Sequence, residues 1–74
     1  MKFETFLERL QYHHANRYPN AIGLFWRSIF QGVWWHVIII ADYGFWDNVL
    51  AVGRGRDLET AYASAAKALK DKVK

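Results

Sequence analysis

The chain has no cysteine, so no disulfide or cysteine-held zinc can staple it, and its redox compartment leaves no mark on the sequence. It has one proline, Pro19, and five glycines, with no internal repeat, low-complexity tract or sign of a second domain; residues 1–74 read as a single domain. Charge of one sign is scarce. Ten Lys/Arg against seven Asp/Glu give a formal +3, well short of the dense basic stripe of a dedicated nucleic-acid binder. Four of those cations, Lys67, Lys70, Lys72 and Lys74, fall at the end of the last expected helix, where they complement its dipole. The opening Met1-Lys2-Phe3-Glu4-Thr5 lacks the apolar run of a signal peptide. The most apolar window, Ile22 to Ala41, has the length of a membrane span, but it carries Arg27, Ser28, Gln31 and His36. An arginine there costs ~2.5–3.5 kcal/mol on insertion. The expectation is a cytoplasmic protein without a membrane span.

What the chain does have is apolar mass. Hydrophobic residues make up 53% of it, including four tryptophans, four tyrosines and five phenylalanines, which excludes a disordered chain. So small a domain buries only about 60% of its unfolded surface. The aromatics therefore either build an unusually bulky core or cover a surface meant for a partner.

Residues 3–17 read as a helix, with Phe3, Phe6, Leu7, Leu10 and His14 at helical spacing on one side. Pro19 ends it. Residues 22–31 fit an amphipathic helix and a strand alike; Gly23 and the β-branched and aromatic content favour the strand. Gln31-Gly32 then forms a two-residue hairpin turn, with Gly32 at positive φ, pairing Phe30 with Val33, Trp26 with Val37 and Leu24 with Ile39. Residues 33–41, Val-Trp-Trp-His-Val-Ile-Ile-Ile-Ala, are the clearest strand. A third strand follows from Asn48 to Gly53, then a loop Gly53-Arg54-Gly55-Arg56. Asp57 caps a last helix reaching about Val73, with Leu58, Ala61, Tyr62, Ala65, Leu69 and Val73 as its apolar stripe. The expected fold class is α+β, in the order α-β-β-β-α: a three-stranded antiparallel meander with two helices. The alternative order is α-α-β-β-α, if residues 20–31 are helical.

Alternation puts Trp26, Phe30, Trp35, Val37 and Ile39 on one face of the sheet. Phe25, Ile29, Trp34, Ile38 and Ile40 lie on the other, with Arg27 and His36 among them. Both faces are apolar, whereas a sheet with one solvated face reads polar at every second residue. Either the helices sandwich the sheet, one per face, or another molecule covers the second face, a second copy or a different partner.

No constellation of catalytic type emerges, and the chain is read as no enzyme, with no cofactor and no metal. His13 and His14 are adjacent and so point about 100° apart on a helix, a poor chelate; His14, on the apolar stripe, reads as a core histidine. Ser28 and Ser64 lie in no nucleophile motif, and Asp42 and Asp47 are ordinary turn chemistry. The partner-binding candidates are Arg54 and Arg56, the loop aromatics Tyr43, Phe45 and Trp46 with Trp34 and Trp35 nearby, and Arg27 and His36 on the apolar face. Tryptophan, tyrosine and arginine dominate interface energetics, and arginines before a helix N-terminus can hold an anion. Against an anion, Asp57 and Glu59 already serve that helix end, and the two glycines suit a turn.

Two resemblances attach to these residues. The element order and the run Gly53-Arg54-Gly55-Arg56-Asp57-Leu58-Glu59-Thr60-Ala61-Tyr62-Ala63-Ser64-Ala65-Ala66 resemble the end of a double-stranded-RNA-binding domain. That family begins its last helix with a serine and two lysines that hold phosphates. Here Asp57, Leu58 and Glu59 occupy those places, and Tyr62 stands where a later lysine falls, so the resemblance implies the fold without the residues that bind RNA. The strand–Gly-x-Gly-x-Asp-Leu-Glu-x-Ala ending, over residues 33–73, is similar to small phage and prophage α/β sandwich proteins, some of them anti-CRISPR inhibitors of host defence. That likeness implies a small binding protein occluding a host nuclease or defence complex in the host cytoplasm. The alternative is a minimal nucleic-acid-binding module using Arg54, Arg56 and the nearby aromatics.

Overall fold

In a computed structural model, which describes residues 1–72, the chain runs α1 (Phe3–Arg17), β1 (Gly23–Gln31), β2 (Trp34–Asp42), β3 (Asp47–Gly55), α2 (Leu58–Lys72). The fold is α+β, and residues 22–31 are strand rather than helix. The expected extension of the last helix to Val73, and Lys74, lie outside the described residues. No helix among the described residues is long and apolar enough to cross a membrane.

The strands form one antiparallel sheet in the order β1-β2-β3. The hairpin register differs from the expected one by two residues: Gln31 pairs with Trp34, Trp26 with Ile39 and Leu24 with Ala41. The two-residue turn is Gly32-Val33, not Gln31-Gly32, and Gly32 supplies its positive φ, 68°, from the first loop position. A shift of two preserves side-chain parity, so every residue keeps its face. Between β2 and β3 the ladder slips at Ile39/Ile40, and the bulge turns both Leu50 and Ala51 into the core.

Both helices lie on the same face. The core joins Phe6 and Leu10 of α1, Val37, Ile39 and Ala41 of β2, Leu50 and Ala51 of β3, and Ala61, Tyr62, Ala65, Ala66 and Leu69 of α2. An aromatic cluster ties the layers: Phe6 stacks on Tyr62 with centroids 4.6 Å apart and meets Trp26 edge-on at 5.9 Å. Helix α2 sits on β3 through alanines facing glycines. A Cβ on Gly53 would strike the Ala65 backbone, and one on Gly55 would lie 2.6 Å from the Ala61 nitrogen. Arg54 N–H donates to Ser64 Oγ (3.2 Å), tying the outer edge of β3 to the helix. Asp57 caps α2 as expected: Thr60 N–H donates to its Oδ1 (2.7 Å), and this bond holds the carboxyl below its ordinary pKa.

These contacts correct the reading of 53–56 as a loop. Gly53, Arg54 and Gly55 belong to β3, and the two glycines serve the close approach of α2 rather than a turn.

Candidate functional site

With both helices on one side, none of the described elements covers the other side of the sheet. The register lays its side chains in rows across β1, β2 and β3: Gly23, Asp42 and Asp47; then Phe25, Ile40 and Val49; then Arg27, Ile38 and Val52; then Ile29, His36 and Arg54; and last Gln31 and Trp34. Arg56, just past β3, completes the last row, because its guanidinium carbon and that of Arg54 each lie 4.7 Å from the Trp34 ring centroid. Cations held over an indole face gain roughly 0.5–1 kcal/mol each at exposed sites.

The aliphatic middle of this face is open. Ile29 is 43% exposed, and Val49 and Val52 are each 53% exposed. Ile40 is buried, yet it does not belong to the core cluster under the helices. Its neighbours in the row are Phe25 and Val49. The three arginines of the face, Arg27, Arg54 and Arg56, equal in number the chain's formal excess of +3, so the remaining charges balance. The only carboxylates in the rows, Asp42 and Asp47, stand at the end away from Arg54 and Arg56. No family model, curated protein or solved structure matches this chain.

The structure brings Arg54, Arg56, Trp34, Arg27 and His36 together on the open face, and it separates the loop aromatics from them. Trp34 begins β2 and Tyr43 follows its end, so about 30 Å of strand lies between Trp34 and the loop; the expected proximity of Trp34 and Trp35 to that loop is corrected. Trp35 points to the helix side, where it meets Phe30 at 5.1 Å and packs against the core. Within the loop, Tyr43 packs on the core edge and stacks on Trp46 at 4.5 Å, leaving Phe45 fully exposed. Gly44 N–H donates to Asp42 Oδ1 (2.8 Å), the turn role read for that aspartate. The apolar members Val49 and Val52 were missed as site residues, because the bulge at Leu50 breaks the alternation that would have exposed them to a sequence reading.

The histidines also depart from expectation. His13, not His14, is the core histidine: α1 buries Phe6, Leu10 and His13, and His14 lies at the margin with its Nε2 2.8 Å from the Ala21 carbonyl. No group of three or more His, Asp or Glu positioned for a metal ion occurs among the described residues.

His13 Nδ1 is buried without a hydrogen-bond partner. Burial first, then the charges of Arg17 and Arg9, push its pKa below the ordinary 6.5. The folded chain therefore binds this proton less readily than the unfolded one. The stability tied to the neutral ring is present above about pH 6.5 and is lost as pH falls from there through the depressed folded value. We expect the melting temperature to drop between about pH 7.5 and about pH 5, and His13→Leu to flatten that slope, measured by circular dichroism across the range.

Proposed function

We propose that this protein is a non-enzymatic binding domain whose open sheet face seats on a larger protein and occludes it, as a phage-type inhibitor of a host nuclease or defence complex would in the host cytoplasm. The observation that carries this reading is the uncovered apolar face with its three arginines. A sheet that faces water alternates with polar residues, and contiguous exposed apolar surface marks interaction sites. Arginine and tryptophan at one end and aliphatic side chains in the middle match the composition of interface centres.

The test is affinity capture from the native host with the intact chain and with variants. Ile29→Asp and Val52→Asp, at exposed positions the core does not use, are expected to reduce capture by about tenfold or more. Lys67→Glu on the exposed side of α2 should leave it unchanged. Equal capture by all of them, with circular dichroism confirming folded variants, overturns the reading. A second reading is a minimal nucleic-acid-binding module, and it is supported by the two arginines gathered over Trp34. It requires salt-dependent binding to single-stranded or duplex RNA that Arg54→Ala and Arg56→Ala weaken; absence of binding at low salt removes it.

A further inference from the structure

We propose that the open faces of two copies of this chain pair with each other in an antiparallel, two-fold sandwich, so that any other protein seated there displaces the second copy. This rests on the reading of the open face as a docking surface.

Charge along the face is graded. Carboxylates Asp42 and Asp47 stand in the first row, apolar side chains fill the middle with Arg27 at its β1 edge, and Arg54, Arg56 and Trp34 close the far end. The end rows are about 26 Å apart at ~3.3 Å per residue. Sheets packed face to face keep their strands within about 30° of each other, which leaves two arrangements with a two-fold axis in the interface. An axis along the strands lays like rows over like rows, arginine end on arginine end and aspartate end on aspartate end. An axis across the strands reverses the order, and the charges then match.

In that second arrangement Asp47 faces Arg56 of the second copy, and Asp42 faces the other copy's Trp34 with its two arginines. Phe25 meets Ile29 of the second copy, and Val49 meets the aliphatic stem of its Arg54. The central row falls on itself, Ile38 on Ile38 and Val52 on Val52. Because the interface is isologous, each off-axis contact occurs twice. Arg27 would also face its own copy, but it is exposed on edge strand β1, where its long stem lets the guanidinium turn out to water. The face measures about 14 by 30 Å, from three strands at ~4.8 Å and nine residues at ~3.3 Å. That is a small footprint beside the ~800 Å² per partner of a standard interface, so the dimer is concentration-dependent rather than obligate.

Sedimentation equilibrium of the full chain, from micromolar to millimolar protein, tests this. The mass should rise from the monomer's 8.7 kDa towards twice that. Asp47→Arg alone and Arg56→Asp alone should each weaken association about tenfold, by setting like charges opposite each other. The double variant should return to within about threefold of wild type, because the pair is restored with its signs exchanged. Both positions are exposed, and circular dichroism checks that all three variants fold. A wild-type monomer at every concentration overturns the proposal, as does a dimer indifferent to the single variants or not rescued by the double. A monomer that still captures a host protein through Val52 leaves the docking reading standing without the twin. A rescued dimer with host capture indifferent to Val52→Asp does the reverse.

Discussion

Gly53→Ala should lower the melting temperature by roughly 12–24 °C, the equivalent of about 3 kcal/mol in a domain of this size, and Gly53→Val should leave little folded protein. An added Cβ at this position meets backbone, not a side chain that could swing aside: the Ala65 nitrogen, the Ala65 Cα at 2.5 Å and the Ala61 carbonyl oxygen at 2.7 Å. Overpacking a core typically costs ~1–3 kcal/mol and more where neighbours cannot yield, and here relief requires lifting α2 off β3. Gly23→Ala is the matched control. Nothing lies within 4 Å of its added Cβ, and its φ is not positive, so stability should hold or rise slightly. Thermal denaturation followed by circular dichroism compares the two. Equal melting temperatures would mean that α2 does not rest on the glycines.

The same glycines show where sequence reading stops. In Gly53-Arg54-Gly55-Arg56 the local signal for a turn and that for close helix approach are identical, two glycines beside polar residues. Only the alanines at 61 and 65, met across the fold, decide between them. Once 53–55 is strand, Arg54 is placed by alternation on the open face, which a loop would not have done. The element order and the facing of β1 and β2 were legible, because parity survives a register error of two residues. The hairpin turn was misplaced by one residue, since a glycine of positive φ suits either loop position. Which face the helices would take was not legible, because both faces of β2 are apolar and an alternation with no polar phase has no direction. His13 was missed for a similar reason. Residues 13 and 14 stand at i+7 and i+8 from Phe6 and at i+3 and i+4 from Leu10, and both satisfy an apolar stripe.

Phe6→Ala should cost about 3–5 kcal/mol, the range for emptying a large aromatic site in a core. Much of that loss should appear as detachment of α1 alone. Phe6 is completely buried, stacked on Tyr62 at 4.6 Å and edge-on to Trp26 at 5.9 Å, so it joins α1 to α2 and to β1 at one point. Among the described residues α1 packs chiefly on β1 and α2, whereas α2 rests chiefly on β3 and β2. Without Phe6 the remaining buried residues of α1 are Leu10 and His13, Phe3 keeps its half-exposed contacts with Trp26 at 5.3 Å and Tyr62 at 5.8 Å, and a free helix of fifteen residues is marginal in water. Its release would bare Trp26, on which Phe3 and Phe6 pack, giving the sheet apolar surface on both sides. Hydrogen exchange is expected to show α1 amides losing protection well before those of β2 and α2. Tryptophan fluorescence should shift to the red as Trp26 meets water. Phe3→Ala, at a site already 39% exposed, should show a much smaller change in both. If α1 and β2 lose protection together in Phe6→Ala, the two layers unfold as one unit and Phe6 is a general core residue rather than the point that holds α1 to the helix-bearing side.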